Sequence, residues 1–206
     1  MFKLIKNTVQ DSKKELAHYG EVIVDLAIDN EAWENVPLVS EAIKILNIKD
    51  IYHKNKIKRN YASFVKAINQ MNQDEIDKFL EKLMPDSKIS EDIAETIFDI
   101  IIDAQKPIKA EVLGNLSISL ARDEINLDEY NTLSLMIYAS SVAALLALPD
   151  FLKSNDYKLY KSQPSAVKNE ALLFSLGIGT RHGNMFRIDD RGMKLAKYGF
   201  KLNINT

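Results

Sequence analysis

The sequence predicts a mostly α fold: a helical bundle around a buried central helix at about 127–149, followed by a small C-terminal α/β appendage. Three observations carry that expectation. The stretch from Thr132 to Leu148, TLSLMIYASSVAALLAL, has no charge, Gly or Pro. Its residues Leu133, Leu135, Met136, Ile137, Val142, Leu145, Leu146 and Leu148 fall on nearly every face of a helix, and such a helix has to be covered by other elements or by lipid. Before it, Asn and Ser caps and Pro stops mark out helices with short links, and nothing in 1–150 alternates as strands with hairpin turns do. After Pro149 the chain turns polar, glycine-bearing and basic. Two parts follow: a helical domain over 1–150 and a basic tail over 151–206, packed on it or appended to it.

Composition bounds the chemistry. The 206 residues are 46% hydrophobic and 27% charged with a net charge of −2, which suits a soluble domain and argues against a uniformly basic surface. Without Cys, disulfides, thiolate nucleophiles, Fe–S clusters and zinc–cysteine sites are excluded. The opening MFKLIKNTVQDSKKE has too short an apolar run for a signal peptide, so a cytoplasmic protein is expected. The stretch at 132–148 is short for a membrane span and is diluted by Ser134, Tyr138, Ser140 and Ser141. Its flanks, Asp128, Glu129 and Asp150, lack basic anchors, so a membrane is not the expected partner.

In chain order, the first helix is expected at 9–28, with Thr8 as cap and Leu16, Tyr19, Ile23, Leu26 and Ala27 as its apolar stripe. Pro37 disfavours a helical Val36, which separates that helix from a short one at 38–46; Trp33 between them reads as a core plug under a loop. Asn47 with Asp50 caps a longer helix whose apolar side is Ile51, Ile57, Tyr61, Phe64, Val65 and Ile68, with Lys54, Lys56, Lys58 and Arg59 on the other side. Asn72-x-x-Glu75 is a capping box for a helix that stops at Pro85. Ser90, with Glu91 and Asp92 in the first turn, opens the next, and Pro107 suits the first turn of the one after. Asn126-x-x-Glu129 launches the central helix.

The tail reads as a polar loop (FLKSNDYKLYKSQPS), a short helix at 166–176, a glycine-bearing loop (GIGTRHGN), a strand (MFRI) and a last helix (DDRGMKLAKYGF). That order is winged-helix-like, with Gly183-Asn184 at the wing tip. No well-separated helix precedes the recognition-helix position at 166–176, a departure from the standard pattern. Charge is uneven. Residues 71–130 carry fifteen acids against six Lys/Arg, whereas 153–206 carry ten Lys/Arg against four acids. This points either to electrostatic self-complementarity or an acidic partner for the tail, or to ordinary solvated surface.

The succession NVPLVSEAIKIL, KNKIKRNYASFVKAI, DEIDKFLEKL, KAEVLGNLSISLARDEINLDEY and LLFSLGIG…FRIDDRGMKLAKYG is similar to a group of uncharacterised helical proteins of bacterial genomes, prophages and mobile elements, over residues 35–200. The resemblance implies a role in phage–host conflict and transfers no catalytic or binding residue.

Candidate sites are few. In GIGTRHGN, three glycines with Arg181 and His182, followed by Arg187 and Arg191, can cradle a small anion or a phosphodiester. The alternative is a tight hairpin that needs Gly for positive φ. Lys54, Lys56, Lys58 and Arg59, with Tyr52 and Tyr61, can touch a phosphate backbone or be a solvated helix face. His18 shares a helix face with Glu15 and Glu21, a weak metal arrangement or incidental spacing, and His53 lies among lysines as a solvated residue. Asp99 and Asp103 are four apart on an apolar helix, as an acid–base pair, half a metal site or a water-facing edge. No Ser–His–Asp, HExxH or phosphate-loop pattern occurs, so neither an enzyme nor a cofactor or metal is expected. The functional expectation is a non-enzymatic binding protein or effector that engages a protein partner, forms a homo-oligomer or holds a small anion. The alternatives are sequence-tolerant DNA or RNA binding through the tail and the 54–59 helix and, more weakly, a membrane-active helix at 132–148.

Overall fold

The computed structural model describes residues 5–10, 39–40, 43–44, 47, 50–83 and 88–204. The protein is mostly helical, with a small three-stranded antiparallel sheet near its C-terminal end. Residues 5–10 are helical, as are 39–40 and 43–44. The expected helix at 9–28 beyond residue 10, Trp33 and the His18–Glu15–Glu21 face lie outside the described residues. The chain divides into two compact units, Met1–Ser134 and Leu135–Thr206. The division falls between Ser134 and Leu135.

In the first unit, α1 (Ile51–Ile68) is capped by the Asp50 carboxylate, which accepts from the Tyr52 amide. The capping box at α2 (Gln73–Lys82) closes in both directions, Asn72 Oδ1 on the Glu75 amide and Glu75 Oε2 on the Asn72 amide. The same reciprocal pair joins Asn126 and Glu129 at the start of α5 (Leu127–Ala139). Ser90 is not a cap: it is buried inside α3, which already runs from Lys88 to Asp103. Ile51 is not part of the apolar side of α1 either, being 70% exposed at the first turn.

The core of this unit is organised by α4 (Ile108–Ala121), which is buried continuously from Val112 to Ala121. Its polar residues hide this in the sequence, and local bonds make their burial tolerable. Ser117 Oγ donates to the Leu113 carbonyl and lies 2.9 Å from the buried Tyr130 hydroxyl, whose pKa burial pushes far up. Gly114 lets α1 approach α4 closely, since a Cβ there would lie 2.6 Å from the Ala67 Cβ and 3.0 Å from the Phe64 carbonyl oxygen. Neighbouring helices satisfy the carbonyls left open at buried helix ends. Asn60 Nδ2 of α1 donates to the carbonyls of Ile101 and Ala104 where α3 ends, and Lys82 of α2 donates to the Leu120 carbonyl where α4 ends.

The single rod expected at about 127–149 is two helices, α5 and α6 (Val142–Lys153), bent by 114° at the break. Two serines make the break. Ser140 Oγ turns back onto the Ile137 carbonyl, while Ser141 leaves the helical region (φ −72°, ψ 155°) and its side chain accepts from the Ala144 amide as a new N-cap. Nor is the stretch covered all round: Leu135, Tyr138 and Leu146 are exposed. Pro149 does not end α6 but lies inside it. The helix continues because Phe151 and Leu152, in its last turn, bury their side chains.

In the second unit α6 packs on α7 (Glu170–Ser175), which follows β1 (Tyr160–Ser162). A hairpin of β2 (Gly179–His182) and β3 (Met185–Ile188) leads into α8 (Asp190–Lys194) and a π-helical turn at Leu195–Gly199. The strand order is β1-β3-β2, so β1, within a segment expected to be a loop, pairs with β3. Phe186 is the hub, with edge-to-face contacts to Phe151 at 5.3 Å and Phe174 at 5.8 Å.

Candidate basic sheet face

The register of the sheet sorts the tail residues by face. Tyr160, Arg187 and Thr180 lie opposite one another across β1, β3 and β2, and Ser162, Met185 and His182 form the next row. Opposed residues of antiparallel strands project to the same side, and all six of these are exposed. The intervening row, Lys161, Phe186 and Arg181, projects to the other side, where Phe186 is buried.

Arg181 therefore does not join Arg187. Its Nε and Nη2 donate to the two carboxylate oxygens of Glu170 at 2.6 Å each, and its remaining donors reach the carbonyls of Gln163, Gly183 and Ser165. The guanidinium lies 5.8 Å from the Phe186 ring centre. Those bonds hold the Glu170 carboxyl below its ordinary range and raise the Arg181 pKa in turn. A residue with its donors committed in this way has none to offer a ligand.

Arg191 is also engaged. It donates to Asp189 Oδ2 and to the Gly177 carbonyl, while Asp189 caps α8 through the Gly192 amide. GIGTRHGN is accordingly not an anion cradle. It holds strand β2 and a two-residue turn, Gly183-Asn184, in which Gly183 takes φ +58°. Of the four tail candidates, only His182 and Arg187 share an open face.

A winged-helix reading fares no better at α7. Its exposed residues are Ala171, Phe174 and Ser175, and no Lys, Arg, Asn or Gln lies in it to reach base edges or phosphates. The helix begins at Glu170, which is buried.

The patch on α1 is not an open basic surface. Lys54, Lys56 and Lys58 are half-buried, and Lys56 Nζ lies 3.7 Å from Asp103. Lys58 makes an interaction of its own. Of the four cations Arg59 is the exposed one; Tyr61 is buried and Tyr52 open. His53 is exposed but not merely solvated, since its Nδ1 meets the cap residue Asp50 at 2.6 Å.

Asp99 and Asp103 are not a matched pair. Asp103 is exposed and faces Lys56, whereas Asp99 is half-buried, with a pKa raised by burial and then by Asp103 and Glu95. Among the described residues no group of three His, Asp or Glu is placed to hold a metal ion, and no single helix is long and apolar enough to cross a membrane.

Tyr160 and Met185 were not candidates from the sequence. Strand β1 has three residues and no turn joining it to its partner; the alternation Tyr160-x-Ser162 is its one local sign. Neither a family model, a curated protein nor a solved structure matches the chain.

Proposed function

We propose that this protein acts by binding, and that its second unit engages an anionic macromolecule through the outer face of the β1-β3-β2 sheet. The observation that carries this reading is Arg187, exposed at the middle of the central strand, flanked by Tyr160 and Thr180 and with no carboxylate partner among the described residues. The surrounding charge supports it. Of the ten Lys/Arg in 153–206, Arg181, Arg191 and Lys194 are paired with Glu170, Asp189 and Asp190, three of the four acids there. Those pairs cancel in charge, and the segment as a whole keeps ten cations against four acids, an excess that attracts polyanions and that salt weakens.

Heparin, as a generic polyanion, tests this. The protein should be retained on a heparin column and elute with salt, and Arg187→Glu should elute markedly earlier than Lys153→Glu, the same charge change placed on α6. Equal shifts in both variants would remove the sheet face as the site, and failure to bind heparin at low salt would remove the reading.

A further inference from the structure

We propose that the anionic macromolecule is single-stranded nucleic acid, with one base stacked on Tyr160, a second on His182 and the Arg187 guanidinium on the phosphate between them. This rests on the polyanion reading above and names its ligand. Tyr160 and His182 occupy diagonal corners of the exposed face, on the two outer strands and two residues apart along them. With strands about 4.8 Å apart and about 3.3 Å of rise per residue, that diagonal is about 12 Å. Stacked bases of a duplex are about 3.4 Å apart along each strand, so bases held at both corners must be pulled out of a stack. A single strand permits that; a duplex does not without melting.

The inventory of the face agrees. An acidic peptide would need several point charges, yet the two exposed rows contain one guanidinium, one imidazole and no lysine. One phosphate between two flat bases needs one guanidinium and two rings, which is what the face holds. Ser162 and Thr180 add exposed hydroxyls, and Met185, 43% exposed, offers a soft apolar floor between the strands. Major-groove reading, in contrast, needs an inserted helix or ribbon bearing polar side chains, and α7 has none suited to it.

The test uses the full chain with a fluorescently labelled mixed-sequence oligonucleotide, its annealed duplex, heparin and polyglutamate, followed by anisotropy. The single strand should bind at least about fivefold tighter than the duplex, and Tyr160→Ala or His182→Ala should each weaken it at least about fivefold. Tyr160→Phe and His182→Phe, which keep a ring, should bind the single strand nearly as the parent does. Duplex or polyglutamate binding as tight as the single strand, or indifference to Tyr160→Ala, overturns the inference. Heparin binding without single-strand binding sinks this inference and leaves the polyanion reading standing; binding to neither sinks both.

Discussion

The Glu170 carboxylate takes two nitrogens of Arg181 at 2.6 Å and, through the same group, the Val167 amide at 2.6 Å. One ion pair thus fastens the start of α7, the 163–167 segment and the β2–β3 hairpin to one another. Bidentate geometry on a nearly buried carboxylate makes this unlike the exposed Arg191–Asp189 pair, because surface pairs contribute little.

Arg181→Ala should lower the melting temperature near neutral pH more than Arg191→Ala does. The pH dependence has a definite sign. Glu170 is held below its ordinary value of 4.5 in the folded chain, so its contribution is complete above 4.5 and is lost as pH falls through the lowered folded value. The gap between the two variants should therefore close in acid. Melting curves over a pH series check this; a gap that does not depend on pH would assign the loss to packing of the Arg181 stem alone.

Gly114→Ala sets two magnitudes against each other. Alanine gains about 1 kcal/mol of helix propensity. The new methyl, however, meets the Ala67 Cβ and the Phe64 carbonyl oxygen, neither of which has a rotamer to turn away, and overpacking of this kind costs about 1–3 kcal/mol. Net destabilisation is expected, as a lower urea midpoint for the first unit. A higher midpoint would mean that α1 and α4 can move apart at no cost.

Asp99→Asn should stabilise. Burial, then Asp103 and Glu95, raise the Asp99 pKa above its ordinary 3.8, so the folded chain holds this proton more tightly than the unfolded one. Stability therefore falls as pH rises from 3.8 through the raised value, and the neutral amide escapes that loss. Urea midpoints should favour the variant near neutral pH and converge with the parent below pH 3.8. An advantage that persists in strong acid would point to a new hydrogen bond of the amide.

What was legible in the chain is short-range. Asp50, the Asn72–Glu75 and Asn126–Glu129 boxes and the Gly183-Asn184 turn act within about one helical turn or one hairpin, and each is where the residues predicted it. The Ser140–Ser141 break was legible by the same kind of rule, since paired serines can take helix bonds for themselves, but the apolar run around it masked that signal. Lys54, Lys56 and Lys58 misled for the opposite reason: positive charge predicts water, yet a long aliphatic stem can lie along its own helix and leave only the amine to find a partner.

By itself, the sequence determined a mostly helical chain with the caps at Asp50, Asn72 and Asn126, a small hairpin with its turn, and a positively charged end, because capping, turn chemistry and net charge depend on neighbours along the backbone. Only the tertiary structure decided that α4, and not the uncharged stretch after it, is the helix enclosed on every side, and that Arg187 is open while Arg181 is committed. Burial and cross-strand register depend on residues far apart in the chain: Tyr160 meets Arg187 and Gly114 meets Ala67 across separations that no local pattern encodes.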